Sequence, residues 1–346
     1  MTHDLNHLLP FLLRRENVAR YEEGQVLIGD RRKYPFEKAF HACATVEEVA
    51  RAIEMMVTQG GGPWVAAVYA MALAASEVDG RSPTAARAHL EAAHRRLVAT
   101  RPTNTALARR LEEVMVVADQ ALESGAQVEA AILDWLERIR DAIYADYAVR
   151  ARYGADLIAD GDGIMTMCFA ETAFILALAL AKQDGKTLRV FTPETRPYLQ
   201  GARLTAPCVH ELGIPVQIIG DNMPAHVMSQ GKVQKYFTAA DLITLDGHVV
   251  NKVGTFQIAL AAHYHAIPYF AFMWGPDYKS PDRASIVIEE RDPQEMKQCR
   301  GAPTTAATLD AYYPAFDITP PHLVAGVITR HGVLSPYDLH RHFKPR

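Results

Sequence analysis

Ile164–Thr192 reads IMTMCFAETAFILALALAKQDGKTLRVFT. Two short apolar runs, Ile164–Cys168 and Leu188–Thr192, enclose a helix-like segment near Glu171–Lys182. Such runs suit strands covered on both faces, as in a parallel sheet. The pattern recurs downstream, with strand-like runs at Val216–Gly220, Tyr236–Ala240 and Ile267–Phe272. Helix-like segments lie between them near Gln200–Leu212, Met223–Gly231 and Thr255–His263. This alternation predicts right-handed βαβ units in a doubly wound, Rossmann-like sheet.

Upstream the text is helical and rich in Ala, Glu and Arg. Val46–Val57 (VEEVARAIEMMV) has the apolar spacing of an amphipathic helix. Val65–Ala75, Ala85–Thr100 and Thr105–Glu123 continue in that manner, while Asp30 and Pro35 fall in a stretch suited to a short strand or two. The expected fold class is α/β, with a mainly helical domain over 1–140 and a Rossmann-like domain over 141–346. A helix is free to cross that boundary, and neither a repeat nor a low-complexity tract interrupts the chain.

Composition narrows the partners. Of the 346 residues 49% are apolar and 22% charged, and the net charge of -4 supplies no cationic footprint for nucleic acid or an anionic membrane. The amino terminus lacks a signal-like apolar core. The longest apolar run, Phe174–Ala181 (FILALALA), is too short to span a bilayer. Cys43, Cys168, Cys208 and Cys299 form no CxxC pair. A reduced, cytoplasmic protein is expected.

Open parallel sheets bind ligands beyond the carboxyl ends of their strands. The residues expected there are Cys168, Glu194 with Arg196, Asp221 with Asn222, Asp241, and Trp274. A cysteine at a strand end also serves as a small buried side chain, and an aspartate there as a helix cap. Their convergence on one edge is what suggests chemistry.

Gly60–Gly61–Gly62–Pro63 is a second signal, because glycines before a proline at a helix start can turn backbone N–H groups toward an anion. A hinge would use the same residues. No GxGxxG follows a strand and no Walker-type loop occurs, so a dinucleotide or nucleotide site is not expected. His263 with His265, and His340 with His342, lack a third partner at metal-site spacing. No metal and no cofactor are assigned.

Several blocks together resemble the methylthioribose-1-phosphate isomerase family. Glu194–Thr205 (ETRPYLQGARLT) resembles its ETRP-x-x-QGxRLT block, and Asp221–Asn222–Met223 its next one. Ala240–Asp241 followed by Asn251–Lys252–Val253–Gly254–Thr255 resembles AD…NKxGT. Arg101–Pro102–Thr103 matches an RPT motif, and Phe316–Pro321 (FDITPP) matches FDxTPP. The matches run from about Asp30 to Val333 in the family's order. Ribose-1,5-bisphosphate isomerases and regulatory subunits of an initiation-factor exchange complex share the fold.

The resemblance implies a homodimer acting on a small-molecule sugar phosphate, with Cys168 and Asp241 catalytic. It implies substrate contacts at Arg101, Gln200, Asn251, Lys252, Gly254 and Thr255, to which the glycine loop adds Gly60, Gly61 and Gly62 and the strand ends add Arg196 as candidates. The implied reaction turns an aldose 1-phosphate into a ketose 1-phosphate by acid–base catalysis, most simply on 5-methylthioribose 1-phosphate, alternatively on 5-deoxyribose 1-phosphate or ribose 1,5-bisphosphate. A non-catalytic, ligand-sensing member of the fold is the other alternative. A thiolate at Cys168, favoured by the helix start near Glu171, is expected.

The chain also departs from the family. Gln59–Pro63 stands where an Arg-Gly-Ala-Pro loop is usual, so one phosphate-clamping arginine is absent. Met167 replaces a frequent His, and Phe169 and Glu171 replace the usual Asn and Gly. Trp64, Met167 and Phe169 are expected to make the pocket more apolar.

Overall fold

The computed structural model describes residues 5–78, 80–101 and 105–343, so Pro102 and Thr103 of the RPT motif lie outside the described residues. The chain divides into two compact units. Among the described residues, the first comprises 5–7 and 11–145, the second 8–10 and 146–343. The division falls inside the helix Val128–Leu157. No helix among the described residues is long and apolar enough to cross a membrane.

In the first unit an antiparallel sheet of Ala19–Glu22, Gln25–Gly29 and Phe40–Cys43 precedes the helices Val46–Glu54, Gly62–Ser76, Pro83–Val98 and Thr105–Ser124. Three strands stand where one or two were expected. Gly62–Ser76 is apolar on every side and is buried from Val65 to Ala75. Its many alanines let neighbouring elements approach closely, and an all-round apolar helix belongs in a core.

The second unit is built on a seven-stranded sheet. In spatial order the strands are Gly332–Leu334, Gly326–Thr329, Tyr269–Phe272, Lys235–Ala239, Gly163–Met165, Arg189–Pro193 and Val216–Ile219. All neighbours pair in parallel except the antiparallel edge strand Gly332–Leu334. Numbered along the chain, the six parallel strands lie in the order 3-2-1-4-5-6 of a doubly wound sheet. The five anticipated strands are all present. The last two were not anticipated, nor was a second sheet of Leu242–Ile243, Val249–Lys252 and Phe316–Thr319.

Glu171–Gln183 shows why the quoted stretch folds as it does. Thr172–Ala181 is buried without a break, so the helix has no polar face to give to solvent and must sit on the sheet. Phe174 packs on Phe237 and Phe272 with ring centroids 6.2 and 6.3 Å apart. Pairs of this kind add about 0.5–1.5 kcal/mol beyond the area they bury.

Candidate active site

Strand order reverses between Gly163–Met165 and Lys235–Ala239, and the crevice at such a reversal is where a doubly wound sheet binds ligands. Cys168 follows the first of these strands and Asp241 the second.

Cys168 does not end a strand, as expected, but lies beyond it, in a turn at φ 58°. Thr195 is also left-handed, at φ 64°, and so is Glu171, at φ 57°, where the family's usual residue is Gly. Each such residue costs on the order of 1–3 kcal/mol and persists only where its surroundings enforce it. The enforcement is visible. The Cys168 amide donates to Thr195 Oγ1 (3.2 Å), and the Cys168 carbonyl accepts from Thr205 Oγ1 (2.5 Å). Asp221 in turn accepts from the amides of Thr195 and Arg196, both at 2.7 Å. The ETRP and RLT blocks therefore act as the clamp that fixes the thiol.

The Asp241 amide donates to Val250 O (2.9 Å), tying the start of the second sheet to the end of the first. Solvent reaches Asp241, yet burial raises its carboxyl above the ordinary range. Lys252 and Arg291 oppose that rise.

Lys252 is buried, and its Nζ has no hydrogen-bond partner among the described residues. The ammonium sits 4.9 Å from the Phe316 ring centroid and 5.9 Å from that of Tyr313. Burial lowers its pKa, while the charges of Cys168 and Asp241 raise it. Cys168, Asp241 and Lys252 thus share one electrostatic neighbourhood. A buried cation with no partner marks a place for an anion.

The thiol departs from expectation. Burial pushes Cys168 up to about 11, and the Lys252 charge and the hydrogen bond from the Phe169 backbone only moderate the rise. The helix start at Glu171 does not reverse this, because removal from water outweighs it. Cys168 rests as a thiol.

The Asn251–Thr255 block is knotted on itself. Asn251 Nδ2 donates to Thr255 Oγ1 (2.9 Å), which donates to Lys252 O (2.7 Å). Gly254, at φ 103°, has a conformation that side chains disfavour, and its Cα faces Met167: an added Cβ would lie 2.8 Å from Met167 Cε. The Gly254 and Phe256 amides are taken by the Asp317 carboxylate. Gly254 and Thr255 therefore shape the loop that carries Lys252.

Gln200 is buried where the ETRP turn enters the helical segment Gly201–Glu211. Arg196 is spent largely on backbone, its Nη2 donating to Met296 O (3.3 Å) and Gln298 O (2.8 Å). Its Nη1 is buried and has no hydrogen-bond partner among the described residues.

The remaining candidates belong to the first unit. Gly61 caps the helix Gly62–Ser76, with Pro63 in its first turn, and Gly62 packs so closely on Thr58 that a Cβ would overlap its Oγ1. Arg101 Nη2 donates to Ile53 O (3.1 Å) and touches Met56 Sδ, just ahead of this loop.

Sequence reading missed Arg291, whose charge reaches Cys168, Asp241 and Lys252. It lies in an irregular segment with no periodicity to flag it. Thr195, Thr205 and Asp317 stood inside the quoted motifs, but nothing local announced their positioning roles.

The family model described as the initiation factor 2 subunit family matches residues 61–336. A methylthioribose-1-phosphate isomerase of Desulfitobacterium hafniense is 36% identical over 90% of this chain and 93% of its own. A 5-deoxyribose 1-phosphate isomerase of Moorella thermoacetica is 37% identical over 91% of this chain and 93% of its own. The crystal structure of 5-methylthioribose 1-phosphate isomerase from Pyrococcus horikoshii superposes with a TM-score of 0.88 at 30% identity, covering 97% of each chain.

Proposed function

The chain belongs to the initiation factor 2 subunit family, and from that membership and its site we propose that it is an aldose–ketose isomerase converting 5-methylthioribose 1-phosphate to the ribulose 1-phosphate. The observation that carries this reading is the shared electrostatic neighbourhood, at the sheet's reversal point, of Cys168, Asp241 and a Lys252 whose ammonium has no hydrogen-bond partner among the described residues.

The reaction needs one proton for the ring oxygen and one group that moves a proton from C2 to C1. Asp241, its carboxyl raised by burial, gives its proton to the ring oxygen as the C1–O bond breaks. Cys168, acting as thiolate, removes the C2 proton and leaves an enol phosphate. It then returns that proton to C1, while the C2 hydroxyl gives its proton back to Asp241 as the ketone forms. Protons balance, and both groups end as they began. Because the resting thiol sits high, the reactive form is a minor species whose population Lys252 raises.

Lys252 holds the phosphate by a charge-assisted contact. The working form in this reading is a homodimer, which light scattering measures directly.

Incubation with 5-methylthioribose 1-phosphate and no added cofactor should yield ketose. A second reading, 5-deoxyribose 1-phosphate as substrate, draws on the equal similarity of the relative bearing that name. Absence of ketose from both sugars and from ribose 1,5-bisphosphate would return the chain to a non-catalytic role.

A further inference from the structure

Arg291 is held against the site by backbone pairing. Its amide donates to Tyr313 O (2.9 Å), the Ala315 amide donates to Glu289 O (2.8 Å), and Glu290 bridges Pro314. The strand that follows sets Phe316 directly opposite Lys252. Two cations therefore lie near a single ring: the Lys252 ammonium at 4.9 Å and the Arg291 guanidinium at 5.8 Å from the Phe316 centroid.

Their partners differ. Arg291 pairs with Glu289 through Nε at 2.9 Å, and its guanidinium also lies beside the Tyr313 side chain, a neutral partner that a phosphate dianion can outcompete. Lys252 has no hydrogen-bond partner among the described residues. Two like charges sharing a ring oppose each other, and a dianion between them removes the opposition.

We propose that Arg291 is a further cationic contact for the substrate's phosphate, acting with Lys252 beside Phe316. The proposal rests on the isomerase reading, because the anion it names is that substrate's phosphate. The reach of the Arg291 charge to Cys168 and Asp241 is consistent with it. Glu289 sits at the Nε side of the guanidinium, and its negative charge opposes an incoming anion.

The test is calorimetric titration of the full-length protein with inorganic phosphate, beside steady-state kinetics on the sugar 1-phosphate. Arg291→Gln should weaken phosphate binding about tenfold and raise KM similarly, with kcat changed by less than about threefold, and Arg291→Lys should recover part of the loss. Glu289→Gln, which keeps the segment's backbone pairing, should tighten phosphate binding. Should Arg291→Gln fail to fold, the Lys and Glu289→Gln variants carry the test. Phosphate affinity within about twofold of the parent in Arg291→Gln, or unchanged or weakened in Glu289→Gln, overturns the proposal. If phosphate binding follows the predicted order but no sugar 1-phosphate is isomerised, the anion site stands and the isomerase reading falls.

Discussion

The amide of Gly254 donates to Asp317 Oδ2 at 2.6 Å, and the amide of Phe256 donates to the same carboxylate at 3.1 Å. A residue from a distant strand thereby caps the helix Thr255–Tyr264 and pins the loop that presents Lys252. Asp317→Ala should cost about 1–2 kcal/mol, the usual loss for a removed cap. Differential scanning calorimetry should show a lower Tm, and kinetics a raised KM. An unchanged melt would mean the cap contributes nothing.

The same carboxyl has a pH signature. Burial raises Asp317 to about 6 despite the bonds from Gly254 and Phe256. In the folded chain it keeps a proton that the unfolded chain releases near the ordinary 3.8. Its stabilising contribution is thus full below about 4 and is lost as pH rises to about 6, beyond which a constant deficit remains. Asp317→Asn keeps one acceptor but cannot ionise. The Tm of this variant relative to the parent should therefore rise between pH 4 and pH 7, and a flat difference would contradict the shift.

Cys168 should alkylate as a high-pKa thiol. Its iodoacetamide rate should climb steadily through alkaline pH toward about 11. Lys252→Met should slow the reaction at any given pH, since it removes the charge that favours the thiolate. Cys168→Ser should abolish turnover with little change in the melt. Peptide mapping separates Cys168 from the other cysteines, and a plateau near neutral pH would refute the assignment.

Gly254→Ala should be costly in two ways. The φ of 103° is strained for any side chain, by about 1–3 kcal/mol, and the new methyl meets Met167 Cε. Adding Met167→Ala should relieve the second cost and leave the first. Full recovery of Tm in the double variant would show that the contact alone matters.

In the isomerase reading, specificity turns on the C5 end of the sugar. Phe169 follows the thiol, and Met167, buried beside Gly254, precedes it. A pocket of this kind should favour an uncharged C5 substituent, because an unpaired second phosphate is costly to bury. Measured kcat/KM should be higher for 5-methylthioribose and 5-deoxyribose 1-phosphates than for ribose 1,5-bisphosphate. The opposite order would overturn this reading of the pocket and spare the isomerase.

Five strands of the second unit's large sheet and the helices between them were legible in the sequence because a parallel sheet covered on both faces needs unbroken apolar runs, as at Val190–Phe191 and Thr172–Ala181. The proline start at Pro63 was legible for a similar reason: the requirement is met by the residue itself. What local pattern could not carry was adjacency. Cys168 and Asp241 are neighbours only because Lys235–Ala239 pairs beside Gly163–Met165, a choice made when the chain reverses its winding. Asp317 caps a helix far behind it in sequence, and Arg291 reaches the site through pairing with Tyr313. The thiol's protonation was also decided in three dimensions: a helix start suggested thiolate, but loss of solvation in the folded surroundings governs the charge.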